Sequence, residues 1–283
     1  MHGLQSDAHL DTAAEQTTEA QRRFGGLARL FGPNAYAALR QAHVAVVGIG
    51  GVGSWVAEAL ARHGIGALTL IDLDHIAESN INRQVHALSD TLGQAKVEAM
   101  AARILGIHPE CRLTLVDDFL TPENVGEVLP EVLDVVIDCT DQMSAKIAMV
   151  LQARTRKQFL IVCGGAGGKT DVLSLRVGDL SEATHDALLA RLRNMLRKQH
   201  GYARASTEAG KPRKRIPKMG VRVLWLDQPT ILPDAWQVSQ TGTEAGLQGL
   251  SCAGYGSSVT VTASMGLAAA AEAVNKIIHT QSK

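Results

Sequence analysis

The stretch 43–74 constrains the fold of this chain more than any other part of the sequence. An apolar run, HVAVV, leads into GIGGVGSWVAEALARHG, and a second apolar run, ALTLIDLD, follows. Continuous apolar runs of this length are typical of buried parallel strands, and residues 54–63 have the spacing of a helix. The stretch therefore predicts a strand, a tight turn, a helix that ends at Gly64 and Gly66, and a second strand.

Four glycines in the predicted turn, Gly48, Gly50, Gly51 and Gly53, indicate a nucleotide site. Glycine lets the backbone come close to a phosphate, and the helix that follows offers N–H groups and a positive dipole end. Asp72 ends the second strand, where an acidic side chain commonly accepts hydrogen bonds from a ribose. A packed glycine turn without a ligand is the alternative, and the pattern alone does not say which nucleotide is bound.

Composition indicates a soluble globular protein. The chain has 283 residues, of which 46% are hydrophobic and 20% charged, and its formal net charge is zero. Its four cysteines form no C-x-x-C pair, which disfavours a zinc site or a disulfide scaffold and fits a reducing cytoplasm. The N-terminus shows no basic start followed by an apolar core, so we expect no signal peptide.

The stretch 251–278 tests this interpretation, because it is poor in charge and rich in Ala, Val and Gly. A membrane-spanning segment is the alternative. Glu272, Lys276 and three interrupting glycines favour instead a core strand over 259–263 and a covering helix over 265–278.

Predicted strands and helices alternate along the rest of the chain. Helices are expected over 93–105, 122–129 and 142–156, and strands over 112–116, 132–139, 159–162 and 171–177. This alternation predicts an α/β fold with a doubly wound, Rossmann-like, mostly parallel sheet. We expect a mobile tail over 1–20, a nucleotide-binding domain over 21–168, and an extension over 169–283 that completes the sheet.

Polar side chains cluster just beyond the second strand, where ligands bind in open α/β sheets. They are Asn80, Asn82, Arg83 and Gln84. Lys96 lies in the first turn of the helix predicted over 93–105, where the dipole disfavours a cation unless an anion is bound. Asp141 follows a predicted strand at the same edge and could hold Mg²⁺ against phosphates, the alternative being a helix N-cap. Arg83, Lys96 and Asp141 together suit a triphosphate and a metal, which a hydride-carrying NAD enzyme does not need.

A second glycine cluster, CGGAGGK, follows the predicted strand 159–162. Its members Gly164, Gly165, Gly167 and Gly168 could line a substrate or bind a monovalent cation. A turn in which two backbones pack closely is an equally good interpretation.

Positive charge is concentrated in residues 191–222. This insert holds eleven Lys or Arg and one acid, whereas the remaining chain holds seventeen basic and twenty-seven acidic residues. A mobile basic loop is expected over 202–218, with Lys211, Arg213, Lys214, Arg215 and Lys218 as its candidate ligands for nucleic-acid phosphates. A merely solvated loop is the alternative.

Several motifs resemble a known superfamily. GIGGVGSW, LTLIDLDHIAESNINRQ, GQAK and DCTD resemble the adenylating domain of the ubiquitin-activating superfamily, and the resemblance covers about 21–168 in order and spacing. Within it, RFGGLARLFG, NINRQVHAL, HPECRLTLVDDF, CGGAGG and the basic insert resemble the tRNA threonylcarbamoyladenosine dehydratase family, over most of the chain.

The resemblance implies ATP as the nucleotide. Gly48, Gly50, Gly51 and Gly53 would pack against it, Asp72 would hold its ribose, and Asn80, Arg83 and Lys96 would bind its phosphates. Asp141 would hold Mg²⁺. Arg23 or Arg29, which have no acidic neighbour that we expect to pair with them, would reach the γ-phosphate across a homodimer interface.

The implied activity is ATP-dependent cyclisation of threonylcarbamoyladenosine beside the anticodon of tRNA. It proceeds through an acyl-adenylate, releases AMP and pyrophosphate, and places Arg83, Lys96 and Asp141 in the catalytic roles. The alternatives are adenylation of a ubiquitin-like sulfur carrier ending in Gly-Gly, and a nucleotide-sensing module without turnover. Cys252 is either a packed core thiol or a sulfur acceptor served by a cysteine desulfurase.

Overall fold

A computed structural model describes residues 19–205, 213–232 and 255–280 and contains one seven-stranded sheet. The strands are β1 (His43–Val47), β2 (Ala67–Ile71), β3 (Arg112–Val116), β4 (Val135–Asp138), β5 (Leu160–Cys163), β6 (Leu175–Asp179) and β7 (Arg222–Leu226). Their order is β3-β2-β1-β4-β5-β7-β6, and β6 alone among them runs antiparallel to its neighbour. The predicted doubly wound, mostly parallel α/β sheet is confirmed.

Eight α-helices connect or cover these strands in the described ranges. They are α1 (Glu19–Phe31), α2 (Pro33–Gln41), α3 (Gly53–Arg62), α4 (Lys96–Ile107), α5 (Val125–Val128), α6 (Met143–Arg156), α7 (Ala187–Gln199) and α8 (Val259–Thr280). Short 3₁₀ turns lie at Glu78–Asn80 and Val172–Ser174.

The central strand β1 contributes to a core on each face of the sheet. Val44 and Val46 pack in a cluster with residues of α3, α4 and α8, whereas Ala45 and Val47 pack in a second cluster with residues of α6 and α7. Side chains alternate between the faces of a strand, so a strand that is covered on both faces must be apolar throughout. This explains the continuous apolar run of 44–47.

The predicted strand over 259–263 is wrong, because these residues begin α8. Their β-branched side chains favour a strand locally. Residues Val261, Met265, Ala269 and Ala273, however, are spaced by four and are fully buried, which is the pattern of a helix face. Packing of this face against α3 overrides the local preference. No helix in the described ranges combines the length and apolar character needed to cross a membrane.

Other differences concern element boundaries. The expected tail over 1–20 lies mostly outside the described residues, and Glu19 and Ala20 already belong to α1. The strand expected over 171–177 begins later, at Leu175, because the Asp171 side chain accepts a hydrogen bond from the Leu173 N–H and stabilises a 3₁₀ turn. The basic stretch 191–222 starts within α7 and ends in β7, and its residues 206–212 lie outside the described ranges.

Candidate active site

A cleft of about 270 Å³ opens at the carboxyl ends of β1, β2 and β4. The chain runs from β1 outward to β3 on one side and from β4 outward to β5 on the other, so β1 and β4 flank the point where the strand order reverses. Ligands bind at this switch point in open α/β sheets. Val47, Ile71 and Cys139, which end or directly follow the three strands, line the cleft.

The first glycine turn forms one wall of the cleft. Gly48, Gly50 and Gly51 line it. Gly53 does not, and a side chain there would overlap the Gly48 carbonyl oxygen. Gly48 has φ +87°, and a Cβ on it would lie 3.0 Å from the Cys139 backbone. Val52, the N-cap of α3, offers no side-chain cap, and the Ser54 and Trp55 N–H groups donate to the Gly50 and Val52 carbonyls. The backbone N–H groups that can meet an anion are therefore those that precede Ser54.

Asp72 and Lys96 meet inside the cleft. The Asp72 carboxylate accepts hydrogen bonds from the Ile49 N–H at 2.6 Å and the Asp74 N–H at 2.9 Å. The Lys96 ammonium lies 2.6 Å from the Asp74 carboxylate and 3.9 Å from Asp72. Burial raises the pKa of Asp72, and the Lys96 charge opposes that shift. Lys96 is the first residue of α4, and these acidic partners offset its unfavourable dipole interaction even without a bound anion.

Residues in the segment 80–84 also contribute to the cleft, beside the glycine turn, since a Cβ on Gly51 would lie 3.5 Å from the Arg83 Cδ. Arg83 donates to the Ser79 carbonyl at 2.6 Å and to the Asn82 side chain at 3.0 Å, while Trp55 donates to the Arg83 carbonyl at 3.0 Å. Asn80, Arg83 and the buried Gln84 line the cleft. These contacts hold a guanidinium group at the cleft.

The two carboxylates of the DCTD motif have different environments. Asp138 is fully buried and pairs with the equally buried Lys146 at 3.1 Å, whereas Asp141 is exposed and lines the cleft. Asp141 is not the N-cap of α6, because Gln142 holds that position. Asp141 is therefore placed where a carboxylate could reach a phosphate-bound cation.

Asp141 would need other ligands to hold a metal. In the part of the chain that the structure describes, no group of three or more His, Cys, Asp and Glu side chains could hold an ion. Mg²⁺ fits such a site, because it is usually bound by one or two carboxylates together with phosphates and water.

The second glycine loop reaches the cleft through Gly164, which lines it. The N–H of Gly165 donates to the Asp186 carboxylate at 2.8 Å, and the same carboxylate caps α7 by accepting the Leu189 N–H at 2.9 Å. Burial raises the pKa of Asp186. Leu188, in the first turn of α7, also lines the cleft. Asp186 thus ties the glycine loop to the start of a basic helix.

The remainder of this loop is a close-packed turn. Gly168 has φ +65°, and its N–H donates to the Gly256 carbonyl at 2.9 Å. A Cβ on Gly168 would lie 2.6 Å from the Thr230 side chain. Gly165, Gly167 and Gly168 do not line the cleft.

The N-terminal arginines lie away from the cleft of their own chain. Arg23 pairs with Glu19 at 2.6 Å and donates to the Gly106 and Ile107 carbonyls at the end of α4. Helix α4 has twelve residues and is about 18 Å long. Lys96, which lines the cleft, is at its other end, so Arg23 contacts the end of α4 that is far from the cleft. The expectation that Arg23 lacks an acidic partner is wrong, because Glu19 lies one helical turn before it. Arg29 is exposed.

Two cysteines lie close together, Cys139 in the lining of the cleft and Cys163 buried behind it. The sulfur atoms of Cys139 and Cys163 are 3.9 Å apart. Hydrogen bonding to Cys163, together with burial, raises the pKa of the Cys139 thiol well above its usual range. Cys252 lies outside the described residues.

The predicted tRNA ligands lie on exposed chain. Arg213, Lys214, Arg215 and Lys218 are exposed, and Lys211 falls outside the described residues. Arg193 of α7 instead donates to the Leu180 and Ala183 carbonyls, so it supports the fold.

Sequence reasoning missed several residues of the cleft and its support. Ser257 and Thr262 line the cleft from near the start of α8, and Lys146 neutralises Asp138 from α6. Ser257 and Thr262 are distant in sequence from the motifs they adjoin. Lys146 lies only eight residues after Asp138, but no local pattern marks its role. Asp186 could have been found, because an Asp before an apolar helix is a recognised cap signal.

The profile of the ThiF family matches residues 24–283. The chain belongs to the ThiF family. It is 40% identical to a tRNA threonylcarbamoyladenosine dehydratase of Haemophilus influenzae over 93% of this chain and 95% of that protein. The enzyme of that name from Escherichia coli is 42% identical over 91% of this chain and 94% of its own length.

Solved structures agree with this membership. The Escherichia coli tRNA N6-threonylcarbamoyladenosine dehydratase in complex with ATP matches with a TM-score of 0.80 and 40% identity. The match covers 94% of this chain and 98% of that chain. A molybdopterin-synthase adenylyltransferase of Escherichia coli is 36% identical, but over 38% of this chain and 43% of that protein. Similarity to the dehydratases therefore includes the extension beyond the nucleotide half.

Proposed function

We propose that this protein dehydrates, and so cyclises, N6-threonylcarbamoyladenosine next to the anticodon of tRNA, using ATP. The observation that carries this proposal is one cleft that combines a glycine turn, a ribose-type acid, two cations and an exposed carboxylate. Two relatives of that name match along 95% and 94% of their length, and the Escherichia coli enzyme is solved with ATP and with AMP.

ATP fits the cleft by complementary chemistry. The glycine turn and the start of α3 offer backbone N–H groups to phosphates, and the carboxylate of Asp72 offers acceptor oxygens to ribose hydroxyls. Arg83 and Lys96 supply positive charge, and the Lys96 ammonium has three donors, of which Asp74 engages one at 2.6 Å. Asn80 supplies a neutral polar group beside them.

The reaction has two steps. A carboxylate oxygen of the threonylcarbamoyl group attacks the α-phosphorus of ATP, and pyrophosphate leaves with its bonding electron pair. A urea group of the same base then attacks the acyl carbon, AMP leaves with the carboxylate oxygen, and the proton of the urea group is lost. The base loses the elements of water, which end in AMP and pyrophosphate. Arg83 and Lys96 stabilise the negative charge that grows on the phosphates.

Mg²⁺ would be held by Asp141 and by the phosphates, and it would supply charge neutralisation when bound. Asp138 is unsuited to this role because its carboxylate is engaged by Lys146 and Thr140. We expect Asp141→Asn to lower turnover at saturating ATP by about 10²-fold. The variant should fold like the parent, because Asp141 is exposed.

Three further proposals concern partners. Arg29 is exposed at the end of α1 beside Leu30, which is 72% exposed, and we propose this end of α1 as the part of a homodimer contact that would present Arg29 to the ATP of a second copy. Gly164, at the cleft, is the candidate contact for a monovalent cation.

A cysteine desulfurase as the partner of Cys252 stays a prediction.

The decisive experiment incubates the protein with ATP, Mg²⁺ and tRNA that carries the threonylcarbamoyl mark. We expect AMP and pyrophosphate to form, and the modified nucleoside to lose the mass of one water. Matched tRNA without the mark is the control and should give neither product. Pyrophosphate exchange that ignores tRNA and requires a protein with a Gly-Gly tail would contradict the proposal.

A further inference from the structure

Cys139 and Cys163 face each other across two neighbouring strands. β4 and β5 are parallel partners, and their pairing of Asp138 with Val162 places Cys139 opposite Cys163 one residue later. Neighbouring strands are about 4.8 Å apart, within the Cα separation of about 4.4–6.8 Å that disulfides span. The sulfur atoms already lie 3.9 Å apart.

Both cysteines connect directly to the cleft. Cys139 lines it, and Cys163 immediately precedes Gly164, which also lines it. A Cβ placed on Gly53 would meet the Cys139 Cβ at 3.2 Å, so Cys139 packs tightly against the glycine turn. Lys146 holds both strand ends, donating to Asp138 at 3.1 Å and to the Cys163 carbonyl at 2.9 Å. A bond between the two sulfurs would therefore pull on the ends of β4 and β5, where Cys139 and Gly164 line the cleft.

We propose that Cys139 and Cys163 are an oxidative modification site that forms a reversible disulfide and weakens nucleotide binding. The oxidant is a small-molecule disulfide or a hydroperoxide that enters through the cleft. With glutathione disulfide, one protein thiol displaces a glutathione thiol to give a mixed disulfide. The second protein thiol then displaces the other glutathione, so two thiols are oxidised, one disulfide is reduced, and the protons end on the two glutathiones.

The effect on nucleotide follows from the packing. Forming the bond shortens the sulfur separation from 3.9 Å to about 2.0 Å, which displaces Cys139 from its contact with the glycine turn. A bound nucleotide should in turn cover Cys139 and slow its oxidation. This protection rests on the proposed ATP site, whereas formation of the disulfide does not.

The test treats the full-length reduced protein with glutathione disulfide, with and without ATP. After proteolysis without reductant, mass spectrometry should find the Cys139 and Cys163 peptides linked, and dithiothreitol should separate them. We expect oxidation to raise the Kd for ATP about tenfold, or about 1.4 kcal/mol, and dithiothreitol to restore it. ATP should slow the linkage.

Three variants make the result decisive. Cys139→Ala and Cys163→Ala should each abolish the linkage, and oxidation should no longer change ATP affinity in Cys163→Ala. Cys252→Ala is the matched control and should keep both effects. The proposal is overturned if the two thiols stay reduced while exposed thiols oxidise, or if linkage leaves ATP affinity unchanged. If the reduced protein binds no ATP, the proposed function fails, while the peptide linkage still tests the modification site.

Discussion

Two glycines of the same turn have different requirements. A Cβ on Gly53 would overlap the Gly48 carbonyl oxygen, whereas a Cβ on Gly50 meets no other atom within 4 Å. Gly50 lines the cleft and Gly53 does not. Gly53 is therefore required by the packing of the turn against α3, and Gly50 affects the space that is open to a ligand.

This difference predicts opposite outcomes for two alanine variants. Gly53→Ala should lower the free energy of unfolding by about 2–3 kcal/mol, because the turn must shift. Gly50→Ala should change it by less than about 0.5 kcal/mol and should weaken ATP binding. Urea titration and calorimetric ATP titration measure the two effects. Equal stability of the two variants would contradict the packing argument.

His86 makes stability depend on pH. It is 2% exposed, and neither ring nitrogen has a hydrogen-bond partner among the described residues. Burial, aided by the charges of Lys96 and Arg103, lowers its pKa from 6.5 to about 4. The unfolded chain therefore binds this proton first as the pH falls. The contribution of the neutral His86 ring to the free energy of unfolding is complete above pH 6.5 and is lost between pH 6.5 and about pH 4.

His86→Leu should flatten the loss of stability over this pH range. The variant should remove a pH-dependent part of the free energy of unfolding of about 3 kcal/mol, which is an upper bound because the protein can relax around a protonated His86. A residual slope is expected, because burial also lowers the pKa of His43 and His108. Urea titrations at stepped pH measure the slope, with the exposed His75→Leu as control. Identical slopes of unfolding free energy against pH in the two variants would show that the pH dependence comes from groups other than His86.

At the scale of elements, helix α8 supports the cleft from outside the nucleotide half. Gly266 lies against the start of α3, where a Cβ would be 2.6 Å from the Val52 carbonyl oxygen and 2.7 Å from the Trp55 Cβ. Ser257 and Thr262, near the beginning of α8, line the cleft. The close approach of the two helices therefore sets the position of these cleft residues.

Gly266→Ala should push α8 away from α3. We expect a loss of about 1–3 kcal/mol in the free energy of unfolding, together with weaker ATP binding. Leu267→Ala, on the same helix at a position that is 50% exposed, is the matched control and should leave ATP binding unchanged. Weaker stability with unchanged ATP affinity would show that α8 does not position the cleft.

At the scale of the whole molecule, a basic surface is attached to an otherwise acidic protein. Lys214, Arg215 and Lys218 are exposed, and the Met219 N–H that follows them donates to Asp179 of β6 at 2.8 Å. This contact places the basic residues at the β6 edge of the sheet, opposite β3. Leu188, at the start of the basic helix α7, links this side of the molecule to the cleft.

Replacing Lys214, Arg215 and Lys218 by Ala should weaken tRNA binding. The slope of log K against log salt should fall by up to about 0.9 for each phosphate that the variant no longer neutralises, while ATP affinity stays constant. Arg112→Ala, exposed on the opposite edge strand, is the control. Filter binding over a salt series measures the tRNA affinity and its salt slope for both variants. An unchanged slope in the triple variant would remove this surface from tRNA recognition.

The order of elements in the nucleotide half was predictable because its signals are local. Where a buried strand is followed by glycines and a helix, the spacing of apolar residues changes from a continuous run to a helical repeat, and this local signal is not altered by tertiary packing. The polar clusters after β2 and β4 were predictable as one site, since parallel strands bring their carboxyl ends to one edge. Asp72, Asn80, Arg83, Lys96 and Asp141 accordingly line one cleft.

By itself, the sequence determined the α/β fold, the edge of the sheet that carries the cleft, and the concentration of basic residues in 191–222. Tertiary structure alone decided that 259–263 is helical, that Lys146 neutralises Asp138, and that Cys139 meets Cys163. Each of these depends on a contact between residues whose neighbours in sequence carry no sign of it. Local propensities differ by less than about 1 kcal/mol per residue, so the burial of a whole helix face outweighs them.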